Sequence, residues 1–255
     1  MLKTLAFFAH PDDETMLIGG TLAYLALQGA EVHYLCATRG EGGEVGQPPL
    51  CTQQELGKMR EKELACAVQA LGGKELSFLD YQDPVIGPED ELYAFTENED
   101  ELIRRLQGTI INLDPEVIIT HGTDGEYGHP GHILANRALL QAVRDLEGYN
   151  PVVYTVAAFY EGHPRPRLAN ESDRADVVLD ISPVRYRKVQ AAICHRTQHA
   201  LFLRHARERR GEEVTLPEII RDQESLSRAL PENGGDADDP AAELLRSITI
   251  EKGPE

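Results

Sequence analysis

Residues 3–14 read KTLAFFAHPDDE, and this stretch decides the fold. Residues 3–9 form a largely apolar run that ends at a turn, which is typical of a strand buried on both faces of a sheet. An imidazole, a proline and three acids follow at once in residues 10–14. A buried strand that opens directly onto ionisable side chains predicts a site at its carboxyl end.

Strand and helix patterns alternate along the chain. The expected strands cover residues 3–9, 32–38, 75–81, 116–120, 151–159 and 177–181. The expected helices cover residues 18–29, 53–71, 98–112 and 131–146, and a further helix opens at Ser182-Pro183. This alternation predicts an α/β fold, Rossmann-like, in which a mostly parallel sheet carries helices on both faces. One catalytic domain is expected over residues 1–210.

The formal net charge of -18 is concentrated in two stretches. Residues 80–101 hold nine acids and no Lys or Arg, and residues 211–255 hold twelve acids against four bases. The second stretch is expected to be an acidic C-terminal extension, helical at first and partly mobile over 231–246. The first is either a solvated edge or an electronegative rim of the site. The excess of acid argues against nucleic acid or an anionic membrane as partner, since both attract Lys and Arg.

The sequence carries no pattern typical of a targeting or membrane-spanning segment. No run approaches the roughly 18 apolar residues of a membrane span, and the N-terminal apolar run meets Pro and acids instead of a cleavage site. Cys36, Cys51, Cys66 and Cys194 lack CxxC spacing and are interpreted as buried thiols in a reducing compartment. A cytoplasmic location is therefore expected.

Ionisable side chains gather after the first and fourth expected strands. The first loop places His10 and Asp13 three residues apart, and the second places His129 and His132 three apart. Two His and one Asp are the usual protein share of a catalytic zinc site, so the two loops are expected to converge on one cation. The alternative for the first loop is a helix N-cap by Asp12 or Asp13, although one cap needs only one acid.

These motifs resemble the PIG-L/LmbE family of zinc-dependent N-acetylglucosaminyl deacetylases, which includes the deacetylases of mycothiol and bacillithiol synthesis. AHPDDE follows the first strand and GHPxH follows a later one, and the resemblance covers residues 1–200. TRGE at residues 38–41, and Arg60 with Glu63 on the next helix, add to it. The resemblance implies removal of an acetyl group from the nitrogen of a GlcNAc-containing small molecule.

The family pattern also implies the roles of individual residues. The zinc ligands would be His10, Asp13 and His132. The catalytic groups would be Asp12 as general base, His129 as a second catalytic histidine, and Tyr127 as a side chain that helps to hold the tetrahedral intermediate. A site of this composition also accepts Fe²⁺ or Co²⁺.

Three further residues are candidates for substrate binding. Arg60 and Asp83 fall where relatives bind sugar hydroxyls, and Arg39 is a second cation that could face the substrate. Asp80 is a rival to Asp83 because the register of that loop is open. For both arginines the alternative is a surface salt bridge, for instance between Arg60 and Glu63.

One departure from the family pattern lies in the second loop. The family commonly has HPDH, and this chain has Gly131 where the Asp would stand. That Asp is thought to orient the catalytic histidine, so the orientation of His129 is left open. Asp124 and Glu126 are the candidates that could substitute.

The sequence predicts a metal-dependent N-deacetylase that releases acetate and a free amine, with a small-molecule GlcNAc conjugate as its partner. An amidase acting on a related thiol conjugate is a close alternative, and a non-catalytic sugar- or nucleotide-binding module is a distant one. The base at Asp12 argues against a silent module, and the absence of GxGxxG after the first strand argues against dinucleotide binding. Relatives are often oligomers, so a homo-oligomer is possible. His195 and His199 are expected to be structural or to lie beside the site.

Overall fold

The computed structural model describes residues 1–231 and 239–252. The strands are β1 Lys3–Phe8, β2 Glu31–Thr38, β3 Glu75–Tyr81, β4 Val117–Thr120, β5 Val152–Val156, β6 Ala158–Phe159, β7 Asn170–Arg174, β8 Val177–Asp180, β9 Gln223–Leu230 and β10 Thr249–Lys252. The helices are α1 Asp13–Leu27, α2 Leu56–Leu71, α3 Glu99–Leu113, α4 Gly125–Gly128, α5 Pro130–Arg144, α6 Arg185–Cys194, α7 His199–Arg210, α8 Leu216–Ile219 and α9 Pro240–Leu245.

Eight strands form one mixed sheet in the order β10-β8-β9-β5-β4-β1-β2-β3. The five strands from β5 to β3 pair in parallel. At the other end, β9 is antiparallel to both β5 and β8, and β10 is antiparallel to β8. A separate small sheet pairs β6 with β7. The predicted α/β class with a mostly parallel sheet is confirmed.

Alternate side chains of β1 enter two separate cores, because successive residues of a strand point to opposite faces. Phe8 lies in one core with Ile18 of α1, and Phe7 lies in the other with Leu102 of α3. Both rings are 2% exposed or less. Burying a side chain of this size contributes about 1.5–3 kcal/mol, so this double burial fixes β1 in the middle of the sheet.

The parallel direction of β1, β2 and β4 places their carboxyl ends along one edge. Residues 9–12, 39–52 and 121–129 leave the sheet at this edge. The β2 loop is fastened to the β1 loop by Thr38, whose backbone N–H and hydroxyl both donate to the carbonyl oxygen of Ala9, at 3.1 Å and 3.0 Å. The loops that the sequence singled out therefore meet.

The catalytic domain was predicted to end at residue 210, but the sheet continues into residues 211–255. β9 falls within 211–255, yet it lies inside the sheet between β5 and β8. Its sequence, QESLSRAL, mixes polar and apolar residues. It therefore lacks the continuous apolar run from which β1 was predicted. Within the expected mobile tail, α9 is ordered and buries Ala241 and Leu245 in the core, while residues 232–238 lie outside the described part of the chain.

Two local expectations also need correction. The helix expected to open at Ser182 begins at Arg185, and the Ser182 hydroxyl donates to Asp180 at 2.5 Å instead of capping the helix. The strand expected over 151–159 is interrupted at Ala157, which has a φ of 52°. That residue divides β5 from β6 and sends the chain into the second sheet.

The expectation of four free thiols is wrong for one pair. Cys66 of α2 and Cys194 at the end of α6 form a disulfide with a Cα–Cα distance of 5.7 Å, whereas Cys36 and Cys51 are free. The two bonded residues are 128 positions apart in sequence, and only the packing of α2 against α6 brings them together.

Among the described helices, none has the length and apolar character that crossing a membrane requires.

Candidate active site and metal centre

The three predicted metal ligands converge at the shared edge of the sheet. Nδ1 of His10 lies 3.2 Å from Nε2 of His132 and 3.4 Å from Oδ2 of Asp13, and Oδ1 of Asp13 lies 3.4 Å from Nε2 of His132. All three residues are at most 8% exposed. His10 lies in the loop after β1, Asp13 begins α1 and His132 lies in the first turn of α5, so three elements supply one cluster.

This cluster fits a divalent metal by its spacing. Ligand atoms that share one tetrahedral Zn²⁺ at ~2.0–2.2 Å lie ~3.3–3.6 Å from one another. The nitrogens of His10 and His132 are 3.2 Å apart, and each lies 3.4 Å from a different oxygen of Asp13, so the pairwise distances are close to that range with the carboxylate facing both rings. Two imidazoles and one carboxylate also match the ligands that such a metal prefers.

Each of the two ligand histidines has a carboxylate at its other ring nitrogen. Oδ1 of Asp83 lies 3.2 Å from Nε2 of His10, and Oε2 of Glu126 lies 2.6 Å from Nδ1 of His132. A carboxylate there fixes the proton on the remote nitrogen and leaves the other lone pair for a metal. The two imidazoles therefore present their free nitrogens toward each other and toward Asp13.

Two more histidines come close enough to compete as ligands. His121 groups with Asp13 and His132, and His129 groups with His10 and His132, in each case with ligand atoms within 4.8 Å. Nε2 of His121 accepts the N–H of Ala9 at 3.0 Å, and its Nδ1 lies 3.0 Å from Glu126. Both ring nitrogens of His121 are thus engaged by protein groups, which leaves it no lone pair for a metal.

His129 is held as a neutral hydrogen-bond donor. Its Nδ1 accepts the N–H of Gly131 at 3.0 Å, so in the neutral ring the proton sits on Nε2. Burial, with His10 and His132 close by, lowers the pKa of His129 to about 3. The ring stacks on His132 at a centroid distance of 4.4 Å. This histidine can donate a hydrogen bond to a negatively charged oxygen but does not carry a positive charge at neutral pH.

Asp12 occupies a strained backbone conformation beside the predicted ligands. Its φ is 112°, in the left-handed region that a non-glycine residue rarely adopts, and such strain concentrates at functional sites. Its side chain makes no capping bond to α1, so the simple N-cap interpretation fails for this residue. Burial and the charges of Asp13 and Glu14 raise the pKa of Asp12 to about 7, although Arg60 and His195 oppose the rise.

Glu14 and His195 hold this conformation; sequence reasoning assigned Glu14 no role of its own and predicted only that His195 is structural or lies beside the site. Oε2 of Glu14 accepts the backbone N–H of Asp12 at 2.9 Å, and Oε1 of Glu14 lies 3.1 Å from Nε2 of His195. Glu14 is 2% exposed and His195 is fully buried. Their signal in the sequence was weak, because an acid at the start of a helix and a histidine after one are both common.

Arg60 contacts the side chain of Asp12 and two backbone carbonyl oxygens. Its Nη2 donates to Oδ2 of Asp12 at 3.2 Å and to the carbonyl oxygen of Pro11, and its Nη1 donates to the carbonyl oxygen of Gly40 at 2.9 Å. A Cβ at Gly40 would come within 2.1 Å of Nη1, so a glycine there permits the contact. Arg60 is 4% exposed, which places it behind the predicted base.

The other two candidates for substrate binding are also engaged by protein groups. Arg39 donates to Glu61 and to Asp80 at 2.5 Å each, and its guanidinium lies over Phe78. Asp83 contacts His10 and accepts the N–H of Gly42 at 3.2 Å. Their contact with substrate stays a prediction.

The stretch of acids at 80–101 divides into one site residue and a largely solvated edge. Asp83 is 8% exposed and faces the cluster, whereas the other acids of the stretch are partly or fully exposed.

Tyr127 lies beside two histidines of the site. Its ring is 55% exposed and lies edge-on to His129 and His132, with centroids 5.7 Å and 5.5 Å away.

Gly131 leaves room for the rings around it. A Cβ at this position would lie 3.2 Å from two atoms of the His129 ring and 3.4 Å from the His10 ring. A carboxylate there would also repel the lone pair of Nδ1 of His129, which accepts the N–H of Gly131, and would favour the tautomer with the proton on Nδ1. We expect both Gly131→Ala and Gly131→Asp to lower kcat, because crowding of this kind costs ~1–3 kcal/mol, and where it displaces the His129 ring from the reacting oxygen this is ~5–150-fold in rate.

Steady-state kinetics on the two Gly131 variants check this. A lower kcat in Gly131→Ala isolates the effect of the Cβ, and a further fall in Gly131→Asp isolates that of the carboxylate. A faster Gly131→Asp enzyme would mean instead that His129 lacks an orienting acid.

Fold and cluster together define the class: an α/β protein with a candidate metal centre, and with a candidate base beside it, at the carboxyl ends of parallel strands. The family model described as PIG-L, GlcNAc-PI de-N-acetylase, matches residues 5–143. The chain belongs to this family, as the HPDDE and GHPxH motifs predicted.

Two curated relatives and one solved structure illustrate the likeness. The chain is 38% identical over 160 residues to the 1D-myo-inositol 2-acetamido-2-deoxy-alpha-D-glucopyranoside deacetylase of Segniliparus rotundus; the match covers 56% of this chain and 50% of that protein, so the chain spans half the length of that relative. It is 32% identical over 220 residues to the probable N-acetyl-alpha-D-glucosaminyl L-malate deacetylase 2 of Bacillus cereus, covering 83% and 91% of the two chains. The 4-carboxy-2-hydroxymuconate hydratase GalB of Pseudomonas putida KT2440 superposes with a TM-score of 0.63 at 24% identity, covering 93% and 100% of the two chains, and this likeness shows the fold alone.

Proposed function

We propose that this protein is a zinc-dependent deacetylase that hydrolyses the N-acetyl amide of a GlcNAc-containing small molecule. The products are acetate and a free amine on the sugar. The observation that carries the proposal is the cluster of His10, Asp13 and His132, in which the two ring nitrogens lie 3.2 Å apart and each lies 3.4 Å from one oxygen of Asp13. Asp12, the residue before Asp13, belongs to neither group of potential metal ligands among the described residues. Two relatives named as deacetylases of N-acetylglucosaminyl conjugates support the choice of substrate class.

His10, Asp13 and His132 would hold the metal. When bound, a metal of this kind lowers the pKa of a water molecule toward 7 and polarises the amide carbonyl. Asp83 and Glu126 keep the two imidazoles in the tautomer that binding requires.

Asp12 is the group that moves protons in this proposal. Its carboxylate accepts a proton from the attacking water as the new C–O bond forms. The same group then returns that proton to the nitrogen as the C–N bond breaks, so the sugar leaves as an amine. A pKa of about 7 suits both directions of transfer near neutral pH. Arg60 and Glu14 keep the carboxylate in place.

His129 stabilises the charge that develops on the carbonyl oxygen. Its Nε2–H donates a hydrogen bond to that oxygen, and one such donor is typically worth about 3 kcal/mol. Because the ring is neutral before the reaction, its role is donation of a hydrogen bond rather than transfer of a proton. Tyr127, at the exposed mouth, is placed to contact the sugar or the same oxygen.

A panel of N-acetylated sugars tests the proposal. Protein reconstituted with Zn²⁺ is incubated with GlcNAc-inositol, GlcNAc-malate, N,N'-diacetylchitobiose and free GlcNAc, and amine and acetate are quantified. We expect equal amounts of both products from at least one conjugate. An N-acetylcysteinyl amide of glucosaminyl-inositol is the control for amidase activity, and release of N-acetylcysteine alone would favour that reaction. If folded, zinc-loaded protein released no amine from any of these compounds, the proposal would fail.

A further inference from the structure

The loop before α5 contains a buried carboxylate that serves two histidines at once. Oε2 of Glu126 lies 2.6 Å from Nδ1 of His132 and 3.0 Å from Nδ1 of His121. Its other oxygen, Oε1, accepts the N–H of Gly122 at 2.9 Å and a longer bond from Asn170 at 3.4 Å. The side chain is fully buried, so no water competes for these positions.

The hydrogen bonds fix where the protons lie. Since Nε2 of His121 accepts the N–H of Ala9, the ring carries its proton on Nδ1, and this N–H donates to Glu126. The same oxygen accepts the Nδ1–H of His132, which leaves the lone pair of Nε2 directed at Asp13 and His10. Exchanging the proton between the two nitrogens of His132 would break its bond to Glu126.

The rings on either side limit the rotation of His132. It stacks on His121 at a centroid distance of 3.9 Å and an interplanar angle of 19°, and on His129 at 4.4 Å and 15°. Phe8 in turn packs edge-on against His121 at 5.0 Å. A carboxylate at one ring nitrogen and an imidazole on each face therefore determine both the tautomer and the plane of His132.

The backbone of Glu126 is strained in order to reach this position. Its φ of 61° with ψ of -68° lies outside the helical and extended regions, and a conformation of this kind costs on the order of 1–3 kcal/mol. Asn170 of β7 holds it, because Oδ1 of Asn170 accepts the N–H of Glu126 at 3.0 Å and that of Asp124 at 3.2 Å. Because the buried side chain of Asn170 stabilises this strained backbone, the fold maintains the position of the Glu126 carboxylate at an energetic cost.

We propose that Glu126 is a positioning residue for the metal centre, and that it sets the tautomer and the plane of the ligand His132 while His121 anchors it from behind. The inference rests on the proposed metal centre and concerns how tightly that centre binds Zn²⁺. Loss of a supporting partner of this kind typically weakens a metal site ~10–100-fold.

Glu126→Gln is the informative variant. A glutamine offers one oxygen and one NH₂ group, and whichever way it faces, its NH₂ meets an N–H donor, from either the two imidazoles or Gly122. Asp124→Asn is the matched control, because it removes one negative charge two residues away. The carboxylate of Asp124 accepts hydrogen bonds from the hydroxyl and the backbone N–H of Ser172, at 2.6 and 2.8 Å.

The measurement is the Kd for Zn²⁺ by competition with a chromophoric chelator, together with the visible spectrum of the Co²⁺-substituted protein. We expect the Kd of Glu126→Gln to rise ~10–100-fold and its Co²⁺ spectrum to shift, with Asp124→Asn within about twofold of wild type. If Glu126→Gln does not fold, Glu126→Asp replaces it; this variant keeps the charge but shortens the reach, and we expect a smaller rise.

The outcomes separate this inference from the proposed function. Equal Kd values for folded Glu126 variants and wild type, or an equal rise in Asp124→Asn, would overturn the positioning role and leave the metal centre intact. A wild-type protein that binds no Zn²⁺ would instead remove the metal centre on which the proposed function depends.

Discussion

Asp12→Asn is expected to retain wild-type affinity for Zn²⁺ and to lose about 10²–10⁴-fold in kcat, the range for removal of a general base. Asparagine has nearly the same shape and can still accept the hydrogen bond from Arg60, which lies 3.2 Å from Oδ2 of Asp12. It cannot take a proton from water. Because Asp12 belongs to neither group of potential metal ligands in the described residues, the metal should remain.

The neighbouring carboxylate supplies the control for this experiment. Asp13→Asn removes the same charge one residue further on, yet Asp13 contacts both His10 and His132, so this variant should lose metal and activity together. Metal content and deacetylation are measured on both variants. Wild-type turnover by Asp12→Asn would show that another group acts as the base, and loss of metal from it would move Asp12 into the ligand set.

His132→Ala is expected to lose the metal and, with it, all measurable turnover. The residue belongs to both groups of potential ligands, so no alternative set of three survives its removal among the described residues. The affinity should therefore fall further than the ~10–100-fold that loss of a supporting partner causes. Equilibrium dialysis against Zn²⁺, followed by elemental analysis, measures the retained metal.

His129→Ala is the matched variant in this second experiment, since it removes a stacked imidazole three residues earlier. If His129 is the neutral donor described above, the variant should keep its metal and lose roughly 10²–10³-fold in kcat. If His129→Ala lost its metal while His132→Ala retained it, His129 would be the ligand and His132 the hydrogen-bond donor. Circular dichroism confirms that both proteins are folded before the comparison is made.

The place of the candidate metal cluster could be predicted from the sequence, whereas the choice of His132 over His129 as the ligand rested on the resemblance to the PIG-L/LmbE family. His10 and Asp13 flank the junction of β1 and α1, and His132 lies in the first turn of α5. Apolar runs identify buried strands, and parallel strands bring their carboxyl ends to one edge. These two rules are enough to place the three residues near one another from the sequence alone.

The surroundings of the cluster depend on contacts that no local pattern reveals. Glu126 acquires its role through a positive φ and through Asn170, which lies 44 residues later in another sheet. Arg60 looked like a cation for substrate, yet its guanidinium is engaged by Asp12 and by backbone carbonyls. The burial that decides this follows only from the packed fold.

Charge and cysteine content were the least informative guides. Most acids of 80–101 lie on a solvated edge, and only Asp83 reaches the cluster. The disulfide between Cys66 and Cys194 joins two helices whose sequences contain no sign that they pair. Composition gives the number of charged residues and cysteines, whereas the position of Asp83 and the pairing of Cys66 with Cys194 depend on tertiary contacts.

The position of β9 has a consequence for the order in which the chain can assemble. β8 pairs only with β9 and β10 within the described sheet, so it can join the sheet only after β9, which lies between it and β5, has been synthesised. The parallel strands β1 to β5, which carry His10, Asp13 and His132 at their ends, can pair about 70 residues earlier during synthesis. During synthesis, the edge that carries the candidate site would thus take shape first, and the far side of the sheet would form only once β9 has followed.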